Sequence, residues 1–552
     1  MENGKEAGDN RICIGIDLGT TNTTAAYMAP GRASPIDLDI MQKNNGISRS
    51  MKLMPSILYL KPDGEEVVGF EAEDLKENSI VREQDKLRYL ENTKRFMGTQ
   101  RTFTIDDKAY TPIDVATAIL EHVKKYSQIN RIKGEFQTII TVPANFRNDQ
   151  RNATLEAARR AGFVDNVELY DEPKAAILSF LHEDSLRLDG RQLDLSEKKT
   201  ILVIDIGGGT CDICVVDVEQ NGEQPVFTNR AVGREDLGGV DFDVRIGDEL
   251  AKKYLHDVQL TDADVATLRT VGQKIKEQIS LEIDNYLCEP PYFGDDSALY
   301  KKADWSDILE SEDISYQIAR EVHGEMIHFN MGVREFANTI SALIYKTTES
   351  VASNKDEREQ NKNMEALIDT TLQDFDVSID DVDFIFLTGG MAKCFPLKAA
   401  LFEVYQKPII CPADPLLAVS RGASLVGSYK SIDENSPELM PNAVMMEMDD
   451  GRLETLVEMR EKVPVEKEVG KIFRTQSRTG VAIRLFEGKN EFDSQMRRIN
   501  NLYVIKFDSP QPIGREFKIG YSVDRTKRIN FVITFLDNGE TYHINGQIKE
   551  VN

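Results

Sequence analysis

The chain has 552 residues, with 67 Lys and Arg against 93 Asp and Glu, a formal charge of −26. At roughly 150 residues per domain this length provides for three to four units, which excludes a peptide hormone or a small disulfide scaffold, and the acidic balance disfavours duplex DNA or anionic lipid as a partner. Its 41% hydrophobic and 29% charged residues suit a folded globular protein; no uninterrupted apolar run reaches the roughly eighteen residues of a membrane span, and the polar start MENGKEAGDN lacks the regions of a secretory signal, so a cytoplasmic protein is expected.

Residues 12–16 (ICIGI) form an apolar run that ends in Asp17 and a turn, Leu18-Gly19-Thr20-Thr21-Asn22, before a second strand over residues 23–27. Thr111-Pro112-Ile113-Asp114 supplies a capping hydroxyl, a proline at the first helical position and a carboxylate at the third, ahead of a stripe of Val115, Ile119 and Val123. A further helix is predicted over residues 148–161, with Gly162 as its left-handed closing residue.

The opening pattern returns about 190 residues downstream, too far apart for a solenoid period. Residues 201–204 lead into Asp205, the turn Ile206-Gly207-Gly208-Gly209-Thr210, and a strand over 211–218. Two related α/β lobes are implied. Cys211 and Cys214 form a C-x-x-C, but on a strand positions three apart point to opposite faces, so they are expected to be structural. The other cysteines, Cys13, Cys288, Cys394 and Cys411, are scattered and give no disulfide framework.

Thr261-Asp262-Ala263-Asp264 caps a helix running through Ser280. Residues 289–333, with the single tryptophan Trp305, have few periodic apolar positions and read as an insertion, and 354–363 as a solvated loop or helix face. Residues 384–388 form a strand running into Gly389 and Gly390. The polar, proline-ended stretch 431–437 suits an interdomain linker. Beyond it, alternating runs over 481–486, 502–507, 517–523 and 529–536, the turn Asp537-Asn538-Gly539 and a last strand over 541–544 predict an all-β module of about 110 residues. No helical segment follows in the sequence.

A glycine-hydroxyl turn after a buried strand lets backbone N–H groups approach an anion, because glycine has no Cβ in the way. One such turn could equally be only a tight turn. Two of them, each preceded by an aspartate, predict a clamp on one polyphosphate, with Asp17 and Asp205 facing each other across a cleft and holding a hydrated Mg²⁺. The glycines at 389 and 390 would admit a flat base or a ribose.

In order, these pieces resemble the nucleotide-binding core shared by actin, sugar kinases and the 70-kilodalton heat-shock (DnaK-type) chaperones. The chaperone family is the nearest match: IDLGTTNT from Ile16, TVPANFRNDQRNAT from Thr141, DEPKAAI from Asp171, IDIGGGTCD from Ile204, LGGVDFD from Leu237 and TGG from Thr388 resemble its signatures. The resemblance implies an α/β, actin-like, two-lobed ATPase domain of duplicated ribonuclease-H-like cores over 1–430, a linker over 431–441 and a C-terminal β-sandwich over 442–552 that binds peptide without a helical lid. It implies ATP or ADP with Mg²⁺ as ligands. Lys94 in NTKRFMG matches the lysine that orients the attacking water. Glu172, Asp205 and Asp17 resemble the carboxylates that position water and metal, and Thr20, Thr21 and Thr210 the phosphate-contacting hydroxyls, with Gly19, Asn22, Gly207, Gly208, Gly209, Gly238 and Gly239 as backbone contacts. Gln273, Lys276 and Ser280 occupy the ribose and base positions, Gln273 standing where a glutamate is common. Lys393, in a turn one residue longer than usual, takes the place of a base-packing arginine, beside Gly389 and Gly390. Asp414 fits the last nucleotide motif or is simply a helix cap. Pro143 and Arg151 resemble the family's relay between its domains.

Three departures accompany the resemblance. The hydrophobic, acid-containing linker is not recognisable in SIDENSPELMPNAVMMEMDDG, which puts coupling in doubt; the lid is not found; and the tail motifs that recruit cofactors are not identifiable. Phe473 and Val481 line a peptide slot or belong to ordinary sandwich core. The expected function is that of an ATP-dependent chaperone binding extended or unfolded polypeptide, served by co-chaperones and a nucleotide exchange factor, with no nucleic acid partner and no membrane span. The alternative is a nucleotide-controlled adaptor holding one dedicated client with little turnover. A small-molecule kinase on the same core would need an Asp base beside a sugar pocket and has no use for the β module.

Overall fold

The computed structural model describes residues 11–544 apart from 79–86, 128, 130–131, 133–134, 164–165, 187–192, 222–223, 257, 288–307, 347–362, 430–437, 494–495 and 500–502. The expectations for Cys288, Trp305, residues 354–362 and the linker stretch 431–437 therefore lie outside the described residues.

The predicted repeat is present as two sheets of like topology. In the first, Ile12–Leu18 pairs antiparallel with Asn22–Met28 on one side and parallel with Phe136–Val142 on the other; Val167–Asp171 extends the parallel side. In the second, Lys199–Ile206 pairs antiparallel with Cys211–Asn221, which continues into Gln224–Glu235, and parallel with Phe384–Thr388, followed by Ile409–Ile410. Both founding strands are buried along nearly their whole length, as expected of strands covered on two faces. The two aspartates hold the same place in this scheme. Asp17 lies opposite Thr24 and Thr141, and Asp205 opposite Asp212 and Thr388.

Helices cover the sheets where their caps predict. Thr111 and Asp114 form the reciprocal capping box of the helix Pro112–Tyr126, and Thr261 and Asp264 make the same two bonds ahead of Asp262–Leu287, which runs seven residues past the expected end. Asn148–Arg160 ends before Gly162, whose φ is +82°. The helices Glu172–Ser185 and Ala418–Leu425 pack on each other, and the second also lies on the first sheet. Thr24 donates to Ser420 there at 2.9 Å. Cys211 and Cys214 lie buried on their strand, and the Cys214 thiol points to the side-chain oxygen of Asn229 at 3.3 Å.

Two expectations are corrected. The stretch 289–333, read as an insertion with few periodic apolar positions, contains a regular hairpin, Ser315–Val322 with Glu325–Gly332, one face of which packs Tyr316, Ile318, Val322, Ile327, Phe329 and Met331 on the core. The run 481–486 is two strands, Gly480–Ile483 and Leu485–Gly488, pairing with different partners on either side of Arg484.

Among the described residues from Glu438 onward, every regular element is a β-strand. A five-stranded sheet centres on Glu516–Val523 and Ile529–Phe535, whose strict alternation sends Phe517, Ile519, Tyr521, Phe531, Ile533 and Phe535 into a core of their own. A four-stranded sheet through Ala443–Glu447 and Leu485–Gly488 closes the other side. Phe473 stacks on Phe517 at 5.7 Å, and it and Val481 pack partly buried against this core.

Candidate functional site

The hairpin tips of the two sheets meet. A Cβ built on Gly208 would fall on the hydroxyl and Cβ of Thr21, so the second tip is glycine where the first presents a side chain. Beneath the contact opens a cavity of about 1650 Å³, lined from the first sheet by Asp17, Gly19, Thr20, Thr21 and Asn22, and from the second by Asp205, Gly207, Gly208 and Thr210. Lys94, Glu172, Gly239, Gln273, Lys276, Ser280, Gly389, Gly390 and Lys393 complete the wall. Three expected residues are not among the lining. Gly209 faces the guanidinium of Arg95, Gly238 packs on the backbone of Gly208 and Gly209, and Asp414 sits one residue before the lining pair Pro415 and Leu416, its carbonyl accepting from Leu417 and Ala418 at the start of the last helix.

The second tip is braced from behind. Its carbonyls at Gly207 and Gly208 accept the first amides of the helix Gly239–Tyr254, from Gly239 and Val240, at 2.9 and 2.7 Å. Lys276 donates to the Gly239 carbonyl at 2.9 Å and lies 2.6 Å from Asp243, while Gln273 donates to Glu277 at 2.9 Å. At the third wall, Gly389 takes φ +82° beside the carboxylate of Asp205.

At the floor, Lys94 donates to Glu172 at 2.6 Å, both side chains under a tenth exposed. Thr141 donates to Asp17 at 3.1 Å. Burial, and then the neighbouring Glu172, push the Asp17 carboxyl up to about 7, and burial, Glu172, Asp212 and Asp17 together raise Asp205. Acids that hinder each other's ionisation in this way form a site short of positive charge. Among the described residues no three carboxylates, imidazoles or thiols come close enough to ligate one bare ion. This donor set therefore fits a cation that keeps its water shell, as Mg²⁺ does.

A second cluster, which the sequence reading missed apart from Arg151, lies where the α/β part meets the β part. Asp171 accepts from Arg151 at 2.7 Å and from Lys527 at 2.9 Å; Lys527 also donates to the Ala144 carbonyl at 3.0 Å. Burial alone would raise the Asp171 carboxyl, but Lys527, Arg151 and Lys174 hold it down at about 2. Glu438 pairs with Lys174, accepts from Asn229 at 2.6 Å and lies 3.8 Å from Lys527. Residues 438–441, assigned to a linker in which the family's hydrophobic, acid-containing pattern is not recognisable, hold a buried glutamate on a short strand, Glu438–Leu439, paired with Lys462–Val463. Farther along, Asn148 donates to the Tyr503 hydroxyl at 2.5 Å, and Glu487 lies 3.8 Å from Arg147. An acid in an otherwise polar stretch and a lysine in a turn carry no periodic signal, so only the fold reveals them.

A family model described as Hsp70 protein matches residues 99–287 and 358–526. The chain belongs to the Hsp70 family. It is 28% identical over 554 residues to the chaperone protein DnaK of Thermosipho melanesiensis, covering 97% of this chain and 80% of that protein. It is 28% identical over 499 residues to the DnaK of Thermotoga neapolitana, covering 88% and 71%, and 26% over 528 residues to that of Nitrosopumilus maritimus, covering 94% and 72%. The chain is accordingly a DnaK-type member of the Hsp70 family, and among its described residues no helix is long and apolar enough to cross a membrane.

Proposed function

We propose that this protein hydrolyses ATP in the cleft between its two sheets and uses the nucleotide state to govern how the C-terminal β part holds extended polypeptide. In this reading residues 1–430 are the two-lobed, actin-like ATPase built on duplicated ribonuclease-H-like cores, 431–441 the connection and 442–552 the substrate-binding sandwich. The observation that carries it is the meeting of the Thr21 and Gly208 tips above Asp17, Asp205 and the Lys94–Glu172 pair.

Asp17, Asp205 and Glu172 would hold a hydrated Mg²⁺, which supplies the positive charge that phosphates need beside three acids. The hydroxyls of Thr20, Thr21 and Thr210 and the amides of the glycine turns orient the phosphate chain. Lys94, fixed by Glu172, aligns the attacking water; phosphoryl transfer needs alignment and charge stabilisation more than covalent help. Gln273, Lys276 and Ser280 flank the ribose, and Gly389, Gly390 and Lys393 the base. Unfolded or extended polypeptide, with co-chaperones and an exchange factor, would be the partners.

The test is a calorimetric titration with ATP and Mg²⁺, repeated with an unfolded apolar peptide. Equal peptide affinity with ATP, with ADP and with no nucleotide would reject the coupling even if turnover survived. A second reading, an adaptor that holds one dedicated protein, is favoured by the packing of Phe473 and Val481 against the sandwich core, which leaves less of them for a peptide slot. One stoichiometric partner in a pull-down, with little ATP turnover, would decide for it.

A further inference from the structure

Lys94 has a neighbour to which neither the motif nor the mechanism gives a role. Asn92 takes φ +55° and opens a single 3-10 turn over Thr93–Phe96, on which successive side chains diverge. Lys94 turns to Glu172 at 2.6 Å. Arg95 reaches the other lobe, where its Nη2 donates to the carbonyl of Gly209 and lies 3.8 Å from Asp241. Asp241 in turn accepts from the Gly238 amide at 2.6 Å, at the start of the helix that braces the second tip.

The three glycine carbonyls of that tip are thus all held. Gly207 and Gly208 are bonded to helix amides, and Gly209 to Arg95. In a trans peptide the carbonyl and the following N–H point in opposite directions. Anchoring the carbonyls of 207, 208 and 209 from behind therefore turns the amides of Gly208, Gly209 and Thr210 the other way, toward the side on which Gly207, Gly208 and Thr210 line the cavity. Two of the anchors belong to the same lobe as the tip and stay with it. The third is lent by the opposite lobe, from the residue next to Lys94.

Two details argue against a surface arginine resting where convenient. A Cβ on Gly209 would stand 2.6 Å from Arg95 Nε and Nη2, so the glycine makes room for the guanidinium. The Nε is buried with no hydrogen-bond partner among the described residues, a cost that a side chain free to turn to solvent would avoid.

We infer that Arg95 is a positioning residue for ATP hydrolysis: when the lobes close, it fixes the Gly209–Thr210 peptide against the terminal phosphate in the same movement that delivers Lys94. This rests on the ATPase reading above. Arginine suits the task because its planar fork can face a carbonyl and a carboxylate together, which a lysine ammonium does not reproduce.

The test is steady-state hydrolysis of MgATP by the full chain, wild type against Arg95→Ala and Arg95→Lys, with the melting temperature of each. Arg95→Ala should lower kcat at least tenfold while KM changes less than about threefold, because the other two anchors remain. Arg95→Lys should recover only part of the loss, and millimolar guanidinium should restore part of the Arg95→Ala rate. A wild-type kcat in Arg95→Ala, or a loss that follows a lower melting temperature, raises KM equally and ignores guanidinium, would overturn the role. A wild-type protein without turnover would instead remove the ATPase reading itself, so the two failures are distinct.

Discussion

The charge cluster between the α/β and β parts makes a quantitative forecast for Glu438→Gln. Glu438 faces Lys174, whose side chain is 2% exposed, and sits 3.8 Å from Lys527, itself on Asp171 with Arg151. Three cations and two carboxylates share this space. Removing one carboxylate leaves all three cations facing Asp171. Breaking a buried pair by deleting one partner costs about 3–5 kcal/mol, because the remaining charge stays desolvated. At about 1.4 kcal/mol per factor of ten this is a loss of roughly 10² to several times 10³ in the equilibrium that seats the strand Glu438–Leu439 on the α/β part. Amide hydrogen exchange reads it directly. The Met440 amide, bonded to the Glu461 carbonyl at 3.0 Å, should lose protection by that factor, while the core strand Ile529–Phe535 should not. The double change Lys174→Met with Glu438→Met should be milder than Glu438→Gln alone, since an apolar pair of similar volume can replace a buried ion pair at little cost. Protection of Met440 in Glu438→Gln within threefold of wild type would refute the reasoning.

The seating should also depend on pH. Burial, and next Asp149, push the Glu487 carboxyl up to about 7, against which Arg147, the Asn148 amide and Arg151 act; Arg497 lies opposite it on the neighbouring strand and Tyr503 faces the same helix start. The seated state then binds more protons than the unseated one between about pH 4.5 and 7, so its stability falls as pH rises through that window, and seating should be about tenfold tighter at pH 6 than at pH 8. Glu487→Gln should flatten this profile in the same exchange measurement. Lys94→Ala should leave ATP bound and slow hydrolysis by about 10²-fold or more, the scale for losing one electrostatic or positioning group; unchanged single-turnover rates would remove Lys94 from the mechanism. Gly208→Val should abolish nucleotide binding in calorimetry, because its side chain would occupy the place of Thr21; retained affinity would argue against the second tip.

The parts of the site legible in the sequence were those whose chemistry acts through the backbone. Asp17 and Asp205 announce themselves because a buried strand must stop and a glycine turn must follow, a pattern that leaves little choice of residue. The helix starts at Thr111 and Thr261 were legible for a similar reason, as capping is local. Glu438 and Lys527 were not. Each is a common surface residue type in an unremarkable stretch, and each is buried only because a partner distant in sequence, Lys174 or Asp171, comes to meet it. The hairpin Ser315–Gly332 does carry a period-two signal, Tyr316, Ile318 and Val322 on one strand and Ile327, Phe329 and Met331 on the other, which a reading of 289–333 as one block overlooks. The Arg95 contact escaped because it joins two lobes, a relation no local window contains.

Asp171 and Glu172 are consecutive, their Cα atoms about 3.8 Å apart, yet they answer to different ends of the molecule. The first is gripped by Lys527 from the β part, the second by Lys94 in the cleft. Any sideways slip of the β part that tugs on this dipeptide also shifts the carboxylate that holds the Lys94 ammonium in the cleft. A substitution made to loosen the grip on one side must therefore be judged by its effect on the other, for the two adjustments share a single pivot.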